Sequence, residues 1–329
     1  MSIPRHILVI GLGELGLPVT LEIADLASKQ EPPSSVSVLV RPSPVLDGKT
    51  DSSKTQKLNL LQSLGVSLLH IDLAACSKDE LVQAFVDYDC IVSCTGFVGG
   101  SDTIWKTVYA VYEAKVPYFI PWQFGVDYDQ VGYGSAQRLW SIQLDVRRFL
   151  RSHSGETSAT THAMASNTQW TIVQTVIFTS FLFEPWFEIV DVRDSSKPIV
   201  RALGGWENKV STTSPKDIGK VTAMVVFDPS VRNQVVKCAG DTVTYAELAD
   251  IVGEALGIPV KRELLEVEFL ESELKNHSED NIKMYQVAFA KGTGCSWPIE
   301  ETVNHRRHLE LQGVREFAME KLRDSRPKA

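Results

Sequence analysis

Cysteine is sparse in this 329-residue chain: Cys76, Cys90, Cys94, Cys238 and Cys295 are odd in number, scattered, and never form a CxxC pair. Neither a disulfide framework nor a cysteine-type zinc site is suggested, so the thiols are expected reduced and mostly in the core. Long apolar runs are missing too, and the start, MSIPRHILVIGLGELG, lacks a signal-peptide cleavage pattern. That combination excludes a helical membrane span and predicts a cytoplasmic protein. Net positive charge is also absent. A formal charge of -8 argues against nucleic acid or an anionic membrane as the main partner, since either favours a basic face. A small anionic ligand in a local basic pocket stays open. His305 and His308, in NHRRHLE, have no acidic or cysteine partners and two arginines between them. They read as a solvated helix face, and no metal site is expected.

What is present is an alternation. The apolar runs HILVI, SVSVLV, VSLLHI, CIVSC, PYFI and WTIVQTV are separated by segments of helical periodicity. Runs that are apolar throughout suit parallel strands covered on both faces. Helix-start signals stand between them: a capping-box pattern from Ser77 to Glu80, and Ser101 ahead of DTIWKTVYAVYEA. The segment from Ser152 to Gln169, rich in Ser, Thr and Ala, reads as an exposed loop. Further on come a strand at PIVRAL, a helix opened by Ser214 and Pro215, a strand at VVKCAG, and a helix capped by Thr244 that ends at Gly257. The fold class expected is α/β, a Rossmann-type doubly wound parallel sheet with a smaller, mostly helical C-terminal substrate lobe. Residues 1–177 with 208–237 are assigned to the cofactor domain, and 178–207 with 238–329 to the lobe.

HILVIGLGELGLPV carries Gly11, Gly13 and Gly16 in GxGxxG spacing. The triplet alone is weak, but here it follows an apolar strand, opens a helix and begins the first βαβ unit, as dinucleotide binding requires. Gly11 permits the tight turn, Gly13 lets a pyrophosphate approach the backbone, and Gly16 lets helix pack on strand. Glu14 and Leu15 complete the phosphate loop, with the Glu14 side chain expected in solvent. The helix N-terminus then offers N–H groups to the phosphates, and Pro18 fits only within the first helical turn. The second strand ends VLVRPSP, placing Arg41 where an NAD site carries Asp or Glu. A guanidinium suits a 2'-phosphate through paired charge-assisted bonds, so NADP(H) is expected over NAD(H). Lys49, Lys54 and Lys57 add charge in the next loop and helix start. After the fourth strand, Thr95, Gly96 and Phe97 stand where ribose and nicotinamide come close to the backbone, and Pro121 closes the fifth.

These residues resemble a known group. GLGELG, LVRP after the second strand, FIPWQFGVDYD after the fifth and FTSFLFEPWFEIVD after the sixth look like the NmrA-like, isoflavone-reductase-like branch of the atypical short-chain dehydrogenases. The likeness is strongest to a fungal, aromatic-alcohol-reductase-like subgroup. It runs over nearly the whole chain. It implies an NADPH-dependent reductase of a planar aromatic or phenolic compound, with nicotinamide over the end of strand five. That placement makes Trp122, Gln123 and Phe124 a substrate floor and Gly125 the turn; the alternative is that Trp122 and Phe124 plug the core.

The plant reductases of the group carry a catalytic lysine ahead of an Ile/Val-Arg-Arg triplet, with two residues between. In SAQRLWSIQLDVRRFLRS that position holds Gln143. An amide can orient a substrate oxygen but cannot move a proton near neutral pH. Tyr133 is followed by Gln137 where a YxxxK pair would have lysine, and a tyrosine without that cation is a weak acid. Proton-donor candidates by position are Tyr128, Tyr133, Asp127 and Asp145. A quinone or quinone methide would accept hydride with little acid assistance, leaving Gln143 and Gln123 as positioning groups. Phe178, Phe181 and Trp186 either line an aromatic pocket or pack as core. Competing functions are an NADP(H)-binding redox sensor without turnover, known in the wider family, and an isomerase or dehydratase. The partner expected is a small aromatic molecule, with the protein a monomer or homodimer.

Overall fold

In a computed structural model describing residues 3–42, 52–96, 100–153, 167–194 and 196–323, the first apolar run becomes β1 (His6–Ile10), leading into α1 (Gly16–Ser28). The alternation continues through β2 (Ser35–Val40), α2 (Ser52–Ser63), β3 (Ser67–His70), α3 (Lys78–Phe85), β4 (Cys90–Ser93), α4 (Gly100–Glu113) and β5 (Tyr118–Ile120). A short α5 (Tyr128–Val131) and α6 (Leu139–Ser152) precede β6 (Gln169–Gln174). Beyond it lie β7 (Ile177–Phe178), β8 (Val190–Asp191), β9 (Ile199–Leu203), β10 (Lys209–Thr213), α7 (Pro215–Phe227) and β11 (Gln234–Lys237). The chain ends through β12 (Asp241–Thr244), α8 (Tyr245–Leu256), β13 (Lys261–Leu265), α9 (Val267–Asn276), α10 (Asn281–Ala290), α11 (Val303–Arg306) and α12 (Val314–Lys321).

Contacts divide the chain into two units. One comprises Met1–Gln123, Asp145–Val173 and Ile218–Val236; the other comprises Phe124–Leu144, Gln174–Asp217 and Lys237–Ala329. The first is built on a seven-stranded sheet in the order β11-β6-β5-β4-β1-β2-β3. Strands β1 to β6 pair in parallel. The order reverses between β1 and β4, so their carboxyl ends open the crevice where doubly wound sheets take ligands. β1 and β4 are apolar because helices cover both faces: Ile7 to Ile10 and Cys90 to Val92 are fully buried. The expected Rossmann-type fold is the one observed.

The second unit carries two small sheets, β12-β10-β7 and β13-β9-β8. Its core joins Leu182, Phe187, Val200, Leu248, Val252 and Phe289. Both capping boxes form: Ser77 and Glu80 exchange bonds at α3, and Thr244 and Glu247 do so at α8. Gly257 ends α8 in the left-handed conformation. The Ser101 reading needs correction. The helix opens at Gly100, and the Ser101 hydroxyl, already inside the first turn, donates to Asp102 at 3.3 Å instead of capping. The segment read as a loop falls largely at 154–166, outside the described residues, as do Lys49 and Phe97.

Candidate functional site

The first unit's site begins at the turn after β1. Gly11 has φ +99°, and a Cβ there would stand 3.1 Å from Thr95 and 3.3 Å from the Cys94 carbonyl oxygen. At Gly16 a Cβ would drive into the Gly11 carbonyl. At Gly13 a Cβ would meet nothing within 4 Å, leaving open space over the backbone. Two glycines are thus required by the turn itself, while the third keeps a surface clear. The helix that follows has no side-chain cap and no acidic residue in its first turn, so its positive end carries no carboxylate of its own there. Pro18 lies within that first turn, Glu14 is exposed, and the Leu15 side chain is buried.

Beside this turn lies a cavity of about 490 Å³, in the range of small-ligand sites, bounded by Gly11, Gly13, Arg41, Lys54, Lys57 and Thr95. Arg41 is well exposed, with Nε 3.9 Å from Asp72. Lys54 Nζ donates to the Arg41 carbonyl at 3.3 Å. One turn of α2 sets Lys54 and Lys57 on the same face. The apolar side of the cavity is Leu39, Val40, Ile71, Leu73 and Ala74. A glycine turn at a helix N-terminus, an apolar slot and a cationic rim suit a phosphorylated adenosine. Cys94 lines the same cavity, and burial raises its thiol pKa, which makes it a packing group.

Next to this cavity, Gly96 takes φ +62°, and the Trp122 indole covers it at 3.6 Å from where a Cβ would stand. Pro121 and Trp122 border a hollow of about 10 Å³, room for no more than a water. Gln123 is enclosed; its Oε1 accepts from Arg147 Nε at 3.1 Å, and Arg147 is itself fully buried.

The remaining predicted residues, Asp145 apart, belong to the second unit. Phe124 is buried, and Tyr128 is buried against Trp140 with ring centroids 6.3 Å apart. Tyr133 is 50% exposed, and Gln143 is fully buried on α6. Asp127 caps α5 and accepts from Gln130 at 2.7 Å, whereas Asp145, in the first unit, is exposed. The ring residues come together: Phe178 and Phe181 lie 5.2 Å apart, and Phe181 meets Trp186 edge-on at 5.1 Å. Trp186 is 45% exposed and leads inward to Phe187 and Phe289.

The NmrA-like family model matches residues 5–318. The chain belongs to that family. An NmrA-like family domain-containing oxidoreductase of Gibberella moniliformis is 38% identical over 95% of this chain and 96% of its own length. An isoflavone reductase homologue of Solanum tuberosum is 26% identical over 80% of this chain and 81% of its own. Among solved structures, the leucoanthocyanidin reductase–NADPH complex of Vitis vinifera superposes with a TM-score of 0.74, at 17% identity, over 96% of this chain and 98% of that one. At that identity the likeness concerns the fold. The NmrA-like and isoflavone-reductase-like resemblance read from the motifs is therefore correct.

Sequence reading missed Ile71, Leu73 and Ala74. They follow β3, whose carboxyl end faces the same crevice as β1 and β2, and that topological rule was the available signal. It also used Arg147 only as a counting mark. A buried arginine has no local sequence signature.

Proposed function

We propose that this NmrA-like protein is an NADPH-dependent reductase of a planar aromatic or phenolic small molecule bearing a carbonyl, enone, quinone or quinone methide. The observation that carries this reading is the cavity in which Gly11 and Gly13 meet the cationic group Arg41, Lys54 and Lys57. Gly13 and the α1 N-terminus hold the pyrophosphate, Arg41 with Lys54 takes the 2'-phosphate, and Ile71, Leu73 and Ala74 enclose the adenine. Bound there, the nicotinamide supplies a hydride. Thr95, Gly96 and Trp122 shape the surface against which the reacting ring is oriented. Relatives described as an oxidoreductase and an isoflavone reductase homologue support the activity class. Stacking and area burial on Phe178, Phe181 and Trp186 select flat apolar molecules.

Gln143, at the lysine position, orients a substrate oxygen without transferring a proton. This favours substrates electrophilic enough to take hydride unaided. Replacing Gln143 by Ala is expected to raise KM or lower kcat about tenfold, the scale of one lost hydrogen bond; a wild-type profile removes it from the site. The same glutamine supports a second reading, a redox sensor that binds NADP(H) without turnover. NADPH absorbance followed over quinones, enones and aromatic aldehydes separates the two. Net oxidation supports the reductase, and binding without oxidation supports the sensor. Product change without net oxidation indicates an isomerase or dehydratase.

A further inference from the structure

Val176 adopts φ +57°. Among the described non-glycine residues with positive φ it is the β-branched one, and for such a side chain the left-handed region is strained. It is buried at 5% exposure, between the end of β6 and β7. Strain of this kind persists only where the surroundings over-determine it, and the elbow is held from every side. The backbone N–H groups of Thr175 and Val176 both donate to the Gly125 carbonyl, at 3.2 and 3.1 Å. The Gln174 side chain donates to the Val126 carbonyl at 3.2 Å, and Cys238 N–H donates to the Gln174 carbonyl at 2.8 Å. Thr213 Oγ1 donates to the Thr175 carbonyl at 3.1 Å. A Cβ at Gly125 would in turn force the Tyr128 hydroxyl to shift.

The elbow therefore links the two runs that the sequence singled out. Its N–H groups are fixed to the turn after β5, and its exit strand β7 carries Phe178, the first of the three rings. A loose link would leave Phe178, Phe181 and Trp186 to be ordered by each ligand, at an entropic cost to affinity. We propose that Val176 is a positioning residue: its clamped, left-handed backbone pre-orders the Phe178, Phe181 and Trp186 set to receive a flat aromatic substrate. The proposal rests on the reductase reading for the identity of that substrate class.

The test uses full-length protein without cofactor, with 1,4-naphthoquinone as probe and quenching of tryptophan fluorescence as readout. A Trp186→Phe control assigns the signal. Val176→Gly relieves the strain and frees the backbone. Because it also removes a buried side chain, it is expected to lower the melting temperature and, beyond that, to weaken probe binding about fivefold. Val176→Asn, whose side chain tolerates the left-handed region, is expected to bind within about twofold of wild type. A purely structural role would move the melting temperature and leave affinity alone. Unchanged affinity in Val176→Gly overturns the proposal, as does an equal loss in both variants, which would assign the effect to the valine's bulk. Wild-type protein that does not bind the probe overturns the ring set and the proposal together. Probe bound but not reduced when NADPH is added tells against the reductase reading alone.

Discussion

At the scale of single residues, the glycine turn separates folding from binding. Gly16→Ala places a methyl against the Gly11 carbonyl, and overpacking of this kind is expected to cost about 2 kcal/mol in urea denaturation. Gly13→Ala meets nothing within 4 Å. Its stability should stay within about 0.5 kcal/mol of wild type, while calorimetric affinity for NADPH falls at least about tenfold because the methyl stands where pyrophosphate approaches. The roles of the glycines were legible because their spacing is itself the geometric requirement. The Val176 conformation was not. Valine in VQTVIF reads as strand, and partners far along the chain, among them the Gly125 carbonyl some fifty positions away and Thr213, hold it otherwise.

At the scale of elements, the junction of α7 with β5 depends on one arginine. Arg232 donates to the Val225 and Val226 carbonyls at 3.1 and 3.0 Å, in the last turn of α7. Its guanidinium also lies over the Tyr118 ring, and the Tyr118 hydroxyl donates to Val225 at 3.3 Å. Helix C-termini favour cations, and this one is almost dry. Arg232→Met is expected to cost about 2–3 kcal/mol by thermal or urea unfolding. Sequence pattern found β5 and α7 as elements but not this lock, because arginines on either side of a buried bond look alike in one dimension. The caps at Ser77 and Thr244 were readable for the opposite reason: their partners lie three residues away. Ser101 lacked such a partner and misled by two positions. The aromatic run after β6 announced a cluster, yet the edge-on order of Phe181 and Trp186 comes from tertiary packing.

At the scale of the whole molecule, the alternation of apolar runs was enough to predict a doubly wound sheet, because parallel strands buried on both faces leave few other arrangements. Stability against acid has a local origin in the second unit. The Arg193 guanidinium, bonded to Asp191 at 2.6 Å, holds that carboxyl down at about 2, with Arg201 adding attraction. Its pKa in the unfolded chain is about 3.9. The contribution is therefore fully present above about pH 4 and lost as pH falls toward 2. Asp191→Asn is expected to melt lower than wild type at neutral pH, with the gap narrowing between pH 4 and 2 in a thermal-unfolding series. Cofactor choice is tested most directly by a pair of calorimetric titrations with NADPH and NADH at one ionic strength. NADPH is expected to bind at least about tenfold tighter, with the preference abolished in Arg41→Ala. Equal affinities, or no binding of either by folded protein, would contradict that expectation.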